Sequence, residues 1–208
     1  MLKLYFAPGS SSLASHIALE EAGAEYEPIR VDIRSGQQQS PEYLALNPKG
    51  RVPTLVTERG VLTETPAILA YIAQTHRAAE LAPIDDPFAL GEVQAFNSYL
   101  CSTVHVGHAH KMRGARWADD AEARASMTAK VTQNMGDYFA IIENRMFRGP
   151  WVMGERYTIA DPYLFTLSSW LEGDGVDIKR FPKVADHFAR MKTRPAVTKV
   201  LEVVHAKV

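Results

Sequence analysis

The 208 residues predict an α/β plus all-α chain: a small mixed unit of order β-α-β-α-β-β-α, then an α-helical bundle. Three observations carry that expectation. Short alternating apolar runs, broken by Gly and Pro, are confined to the first 78 residues. From about residue 88 onward, apolar side chains recur at helical spacing. Between them, Ala78–Pro87 holds two prolines and reads as a linker. The expected domains are residues 1–78 and 88–208, with 79–87 as the connection.

Each element follows from local pattern. Leu2, Leu4 and Phe6 alternate with Lys3 and Tyr5, which predicts a strand over Lys3–Ala7 ended by Pro8-Gly9. Ser10-Ser11-Ser12 precedes a helix with Leu13, Ile17 and Ala18 on its apolar face, closed by Gly23. Ile29, Val31 and Ile33 predict a second strand. Two strands joined through a helix imply a right-handed crossover and a parallel pair. Tyr43–Leu46 suits a short helix and Asn47-Pro48-Lys49-Gly50 a turn. Thr54–Thr57 and Val61–Thr63 around Glu58-Arg59-Gly60 predict a hairpin. Thr65 is expected to cap the next helix, with Pro66 at its first position and Ile68, Leu69 and Ile72 buried.

The second half predicts a long helix from Phe88 to about Met112, with Val93, Phe96, Leu100 and Val104 inward. Another follows Asp119-Asp120, with Met127, Val131, Met135, Tyr138, Ile142 and Met146 in register, and Gly149-Pro150 stops it. Thr158 and Asp161 form a capping box before Tyr163-Leu164-Phe165. Shorter helices are expected near 184–193 and 196–205. Trp151, Trp170, Tyr138 and Tyr157 are expected to pack the helical core.

Composition narrows the function classes. Hydrophobic residues are 46% and charged residues 23% of the chain, an ordinary globular mixture rather than a disordered one. A chain of this mass buries about 70% of its unfolded surface on folding. The net charge of −1 does not favour a nucleic-acid surface. No apolar run is long enough for a membrane span, and the N-terminus lacks a signal-peptide pattern. The single cysteine, Cys101, cannot form an internal disulfide, so a reducing, cytoplasmic setting is expected.

Three places carry candidate chemistry. Ser10, Ser11 and Ser12 stand where a helix begins, and unpaired first-turn N–H groups there favour an anion such as a thiolate. Plain helix capping explains the same serines. Val52-Pro53 precedes a strand. If that bond is cis, the Val52 backbone is open to pair with an extended ligand. Glu64-Thr65-Pro66 puts a carboxylate and a hydroxyl at another helix N-terminus, which suits a zwitterionic amino-acid group or, again, only a cap.

The strand–Pro-Gly–Ser–helix start, Asn47-Pro48-Lys49-Gly50-Arg51-Val52-Pro53, Leu62-Thr63-Glu64-Thr65-Pro66-Ala67-Ile68 and the later Gly154–Asp161 run together resemble the cytosolic glutathione S-transferases. Tyr5–Gly9, Ser12–His16 and His105 are most similar to the bacterial beta class. The resemblance covers essentially the whole chain. It implies a thioredoxin-like N-terminal domain, a helical C-terminal domain that contributes the electrophile pocket, and a homodimer. It implies glutathione as co-substrate; no metal is expected, because no carboxylate or cysteine nearby completes a ligand set with His105 and His108. Val52 before a cis Pro53 would pair with the cysteinyl part of glutathione, with Arg51 beside it. Glu64 and Thr65 would hold the γ-glutamyl group. Ser11 stands where the beta class usually carries a cysteine, so thiol–disulfide chemistry of that class is put in doubt. A serine there is similar to theta- and delta-like enzymes, where the hydroxyl donates to the glutathione thiolate. Ser10 and Ser12 are rivals for that role. Tyr5 lies within two residues of the catalytic tyrosine of other classes and ranks second. His105 matches a histidine that reaches the glutathione site from the helical domain, and Asn97 and Ser98 lie two turns earlier.

His105 and His108 share a helical face, which suits either a metal with a third ligand or an aromatic, polar pocket lining. Lys111, Arg113 and Arg116 suit an acidic electrophile or simply a solvated helix end. Cys101, among apolar residues, is expected to be a buried structural thiol. The expected activity is conjugation of the glutathione thiolate to a small hydrophobic electrophile. Glutathione-dependent disulfide or peroxide reduction, dehalogenation, and non-enzymatic binding are the competing readings, because a fold does not fix a reaction.

Overall fold

The computed structural model describes residues 1–206. The described residues divide into two compact units, 1–91 with 191–206 and 92–190.

In the first unit, β1 (Leu2–Phe6), β2 (Tyr26–Arg30), β3 (Thr54–Thr57) and β4 (Gly60–Thr63) form one sheet in the order β2-β1-β3-β4. Strand β1, Leu2–Phe6, buries Leu4 and Phe6 and leaves Lys3 and Tyr5 half-covered, as its alternation requires. Helix α1, Ser12–Glu21, carries the chain to β2, Tyr26–Arg30, which runs parallel to β1 with Leu2 opposite Tyr26. The second strand thus starts and ends earlier than its Ile29/Val31/Ile33 alternation suggests. Asp32 stops it: its carboxylate accepts from the N–H groups of Arg34 and Ser35 and folds the chain into a turn. Pro28 is tolerated because β2 is an edge strand.

Helix α2, Pro41–Leu46, is capped by Ser40, whose hydroxyl accepts from the Tyr43 N–H at 3.2 Å. It starts two residues before the expected Tyr43. The hairpin forms as expected from β3, Thr54–Thr57, and β4, Gly60–Thr63. Helix α3, Thr65–Thr75, buries Ile68, Leu69 and Ile72. Its cap is Glu64, one residue before the expected Thr65, and Thr65 is the first helical residue. Val52–Pro53 is cis, and so is Gly149–Pro150.

The last helix, α9, Pro195–His205, also belongs to this unit, whereas the sequence pattern groups it with the bundle. The reason is specific contact with α1. Arg194 donates two hydrogen bonds to the Glu21 carboxylate, at 2.5 and 2.8 Å, and Lys199 pairs with Glu20 at 2.5 Å. Val197, Val200 and Val204 form its buried stripe.

In the second unit, the expected helix from Phe88 to Met112 is interrupted. Helix α4, Pro87–Tyr99, whose first residues fall in the first unit, gives way to a π-helical turn over Leu100–Val104, and α5, His105–Arg113, continues. The π turn rotates the helix face: Leu100 and Val104 remain buried, but Cys101 is half-buried rather than enclosed. Helix α6, Ala121–Ile141, is capped by Asp120, which accepts from the Ala123 N–H at 2.7 Å, and a second π turn spans Ile142–Met146. Phe139, rather than Tyr138, is fully buried on this helix.

Helix α7 is Ala160–Ser168 and α8 is Pro182–Lys192. The expected capping box appears one residue out of step with the helix start. The Asp161 carboxylate accepts from the Thr158 N–H at 2.7 Å, while the Thr158 hydroxyl accepts from the Ala160 N–H at 3.3 Å. Asp161 is fully buried and also accepts from the Val152 N–H at 2.9 Å, and His187 Nε2 lies 3.0 Å from it. Trp170 is buried, while Trp151, Tyr138 and Tyr157 are half-buried.

Candidate functional site

Strand register gathers the candidate residues of the first unit at one end of the sheet. Thr54, the first residue of β3, lies between Tyr5 of β1 and Thr63 of β4. β1 leaves the sheet at this end toward Ser10–Ser12, β3 enters it from Arg51–Pro53, and β4 leaves it toward Glu64 and Thr65. Two helices, α1 and α3, point their N-termini to the same end, where unpaired N–H groups and helix dipoles favour an anion.

The three serines differ sharply. Ser12 is fully buried. Its hydroxyl accepts from the Ala7 N–H at 3.1 Å and lies 2.6 Å from the Ser10 hydroxyl. Ser10 donates to the Ala7 carbonyl at 2.8 Å and accepts from the Ser12 N–H at 3.3 Å. These two side chains therefore hold the turn between β1 and α1. Ser11 occupies the cap position and makes no side-chain cap bond; among the described residues its hydroxyl has no hydrogen-bond partner. It is the one hydroxyl of the three left for a ligand. Tyr5 packs edge-on against Tyr43, with ring centroids 5.7 Å apart.

The Arg51–Pro53 segment is held from below by a buried network. Asn47 Nδ2 donates to the Arg51 carbonyl at 2.7 Å, and the Tyr43 hydroxyl does the same at 2.7 Å. Both also reach the Thr54 hydroxyl, at 3.0 and 2.9 Å. Burial of the Tyr43 ring raises its phenol pKa, and its bonds to Thr54 and Asn47 pull the other way. Asn47 and Thr54 are essentially inaccessible, so the Arg51 carbonyl and the backbone that follows it have little freedom. The sequence pattern places Asn47 in a turn and does not reveal this network. The signal was there in the polar types at 43, 47 and 54, which are costly to bury unless bonded.

Glu64 takes φ of 73°. For a residue with a Cβ this costs about 1–3 kcal/mol, and such strain persists where the surroundings fix it. Lys49 Nζ sits 2.6 Å from the Glu64 carboxylate and 2.6 Å from the Thr63 hydroxyl, so the acid already engages an ammonium group. Thr65 is 4% exposed beside it.

The remaining candidates lie in the second unit. Ser98 is exposed, and its carbonyl accepts from the Ser102 hydroxyl at 2.8 Å. Asn97 is fully buried, and among the described residues neither polar atom of its amide has a hydrogen-bond partner. His105 and His108 both meet Trp170: His105 edge-on at 5.1 Å, His108 stacked at 4.3 Å. His108 Nδ1 lies 2.7 Å from the buried carboxylate of Asp174. Asp174 is 66 residues from His108, and no local pattern could have joined them. His110 packs edge-on against Trp117. Lys111 donates to the Gly173 carbonyl. Among the described residues no three His, Cys, Asp or Glu side chains cluster as a metal site.

Comparison with known proteins agrees with this geometry. Residues 1–74 match the glutathione S-transferase N-terminal domain, and residues 108–203 match the glutathione S-transferase C-terminal domain. Glutathione S-transferase GstA of Escherichia coli O157:H7 is 30% identical, over 96% of this chain and 97% of that one. The disulfide-bond oxidoreductase YfcG of Escherichia coli is 28% identical, over 96% of this chain and 94% of that one. A crystal structure of a glutathione transferase homologue from Sulfitobacter, with bound glutathione, is 46% identical and superimposes with a TM-score of 0.95 over 98% of both chains. With a thioredoxin-like sheet unit, a helical unit and both domain matches in place, the chain belongs to the glutathione S-transferase family.

Proposed function

We propose that this protein is a glutathione transferase that conjugates the glutathione thiolate to small hydrophobic electrophiles. The observation that carries the reading is the unengaged hydroxyl of Ser11 at the N-terminus of α1, beside two serines already committed to the turn. Glutathione lies across the end of the sheet. The Val52 backbone pairs with its cysteinyl part, with Arg51 and Pro53 flanking it, and Glu64 and Thr65 hold the γ-glutamyl group. Ser11 stands in place of the beta-class cysteine. Its hydroxyl and the dipole of α1 stabilise the thiolate, lowering a thiol pKa of about 8.5 toward neutrality.

The thiol proton leaves to solvent, sulfur attacks the electrophilic carbon, and the new C–S bond forms as the leaving group departs. Held beside the electrophile, the thiolate gains the advantage of proximity. Tyr5, Ser12 and His105 are the proposed helpers, Ser12 through the turn it holds behind Ser11, and Ser10 and Ser98 join the glutathione-binding residues. Residues 1–78 form the glutathione domain, and 88–208 supply the electrophile pocket. A cytoplasmic homodimer completes the proposal. The named oxidoreductase relative makes glutathione-dependent disulfide reduction the second reading. Ser11 weighs against it, because a hydroxyl cannot form a mixed disulfide.

Ser11→Ala tests the reading. With 1-chloro-2,4-dinitrobenzene, kcat/KM is expected to fall about tenfold or more and the apparent thiol pKa to rise by about one to two, the worth of a hydrogen bond to a charged group. An unchanged pH–rate profile moves the role to Tyr5, Ser10 or Ser12. No calorimetric binding of glutathione by the wild type overturns the transferase reading altogether. Turnover of mixed disulfides but not of the chloro-aromatic selects the second reading.

A further inference from the structure

Resting on the reading that His105 serves the glutathione site, we propose that Asp174 and His108 are positioning residues that fix His105 through an aromatic clamp in which the Trp170 indole lies against both imidazoles. His105 and His108 stand three residues apart on one face of α5, and the indole lies against both rings. Against His108 it is nearly parallel, 22° between planes at 4.3 Å; against His105 it is steep, 61° at 5.1 Å. Offset-stacked and edge-to-face arrangements are the favourable geometries for aromatic rings, and here one indole makes both.

What holds His108 flat on the indole is Asp174. Its carboxylate is 1% exposed and lies 2.7 Å from His108 Nδ1, which fixes the rotation of the imidazole. Asp174 is in turn held by its backbone: its N–H donates to the Trp170 carbonyl at 3.0 Å, and its own carbonyl accepts from the Thr132 hydroxyl at 2.7 Å. Lys111 donates to the neighbouring Gly173 carbonyl, and its ammonium lies 3.9 Å from the second carboxylate oxygen. The segment that carries Trp170 and Asp174 is thus tied to both α5 and α6. Order passes from Asp174 to His108, from His108 to Trp170, and from Trp170 to the His105 ring. A buried carboxylate is expensive to enclose for packing alone, which is why this arrangement reads as a device for orienting the rings.

The test follows the His105 ring proton by NMR in the whole protein, alongside steady-state kinetics. Trp170 places a ring-current shift on that proton. In D174A and H108A the resonance is expected to move toward the free-histidine position. KM for glutathione is expected to rise about fivefold, the size of one lost aromatic contact, with KM for the electrophile unchanged. D174N retains an acceptor for the His108 N–H and is expected to restore both. H108Q keeps a donor to Asp174 but removes the ring, and it serves if D174A does not fold; the same resonance shift is expected. A His105 resonance that stays in place in H108Q overturns the clamp. A resonance that moves while KM for glutathione holds upholds the clamp and overturns the role of His105 at the glutathione site.

Discussion

Three adjacent serines share one residue type and divide into two jobs. Ser12 satisfies the buried Ala7 N–H, so Ser12→Ala leaves that donor unpaired and is expected to cost about 1–3 kcal/mol of stability. Among the described residues the Ser11 side chain makes no cap bond to α1, so Ser11→Ala is expected to leave stability within about 0.5 kcal/mol. Urea unfolding of the two variants separates the jobs, and equal losses would contradict the division. The sequence alone left this choice open, because three hydroxyls in a row look alike. Only the direction of each Oγ, set by the turn at Pro8-Gly9, distinguishes them.

At the level of elements, the strands and helices that carry strong periodicity were legible, and their ends were less so. The hairpin appears where alternation placed it, and β1 runs Leu2–Phe6, one residue earlier than Lys3–Ala7. The cap of α3 falls on Glu64, because the backbone there takes a positive φ that a residue-type preference for Thr does not foresee. The break in the helix through 100–104 has no Gly or Pro to announce it; it is a change in hydrogen-bond step, and apolar spacing survives it at Leu100 and Val104. The site motifs were legible as strings, but the network beneath Arg51 was not, since it joins residues from a helix, a turn and a strand.

Two predictions belong at this level. Gly50 has φ of 58°, and a Cβ there would lie 3.0 Å from the Gln38 carbonyl oxygen. Gly50→Ala is expected to lose about 1–3 kcal/mol and to weaken glutathione binding by shifting Arg51–Pro53. A variant with wild-type stability and affinity would refute this. Asp161→Ala strands the Val152 and Thr158 N–H groups inside the helical unit and is expected to cost about 3–5 kcal/mol. Thermal unfolding checks it, and a loss below about 1 kcal/mol would contradict the account.

For the molecule as a whole, acid sensitivity has a named source. His16 is 1% exposed, packed between the rings of Phe6 and Tyr26, and burial pulls its pKa down from 6.5 to about 4, with Glu20 opposing weakly. The native state therefore keeps the ring neutral while the unfolded chain protonates near 6.5, so unfolding takes up a proton. The stabilising difference is complete above pH 6.5 and shrinks as pH falls from 6.5 toward 4, reaching a loss of about 3 kcal/mol. His16→Gln is expected to flatten that part of the stability–pH curve relative to wild type. Parallel curves for the two proteins would exclude His16 as the source.

The docking of α9 on α1 also has a consequence for biosynthesis. The sheet unit is discontinuous in the chain, with about a hundred residues of the other unit intervening before its last helix. At translation rates of 5–20 residues per second, the nascent sheet waits roughly 5–20 s with the flank of α1 bare, until Arg194 and Lys199 emerge to meet Glu21 and Glu20.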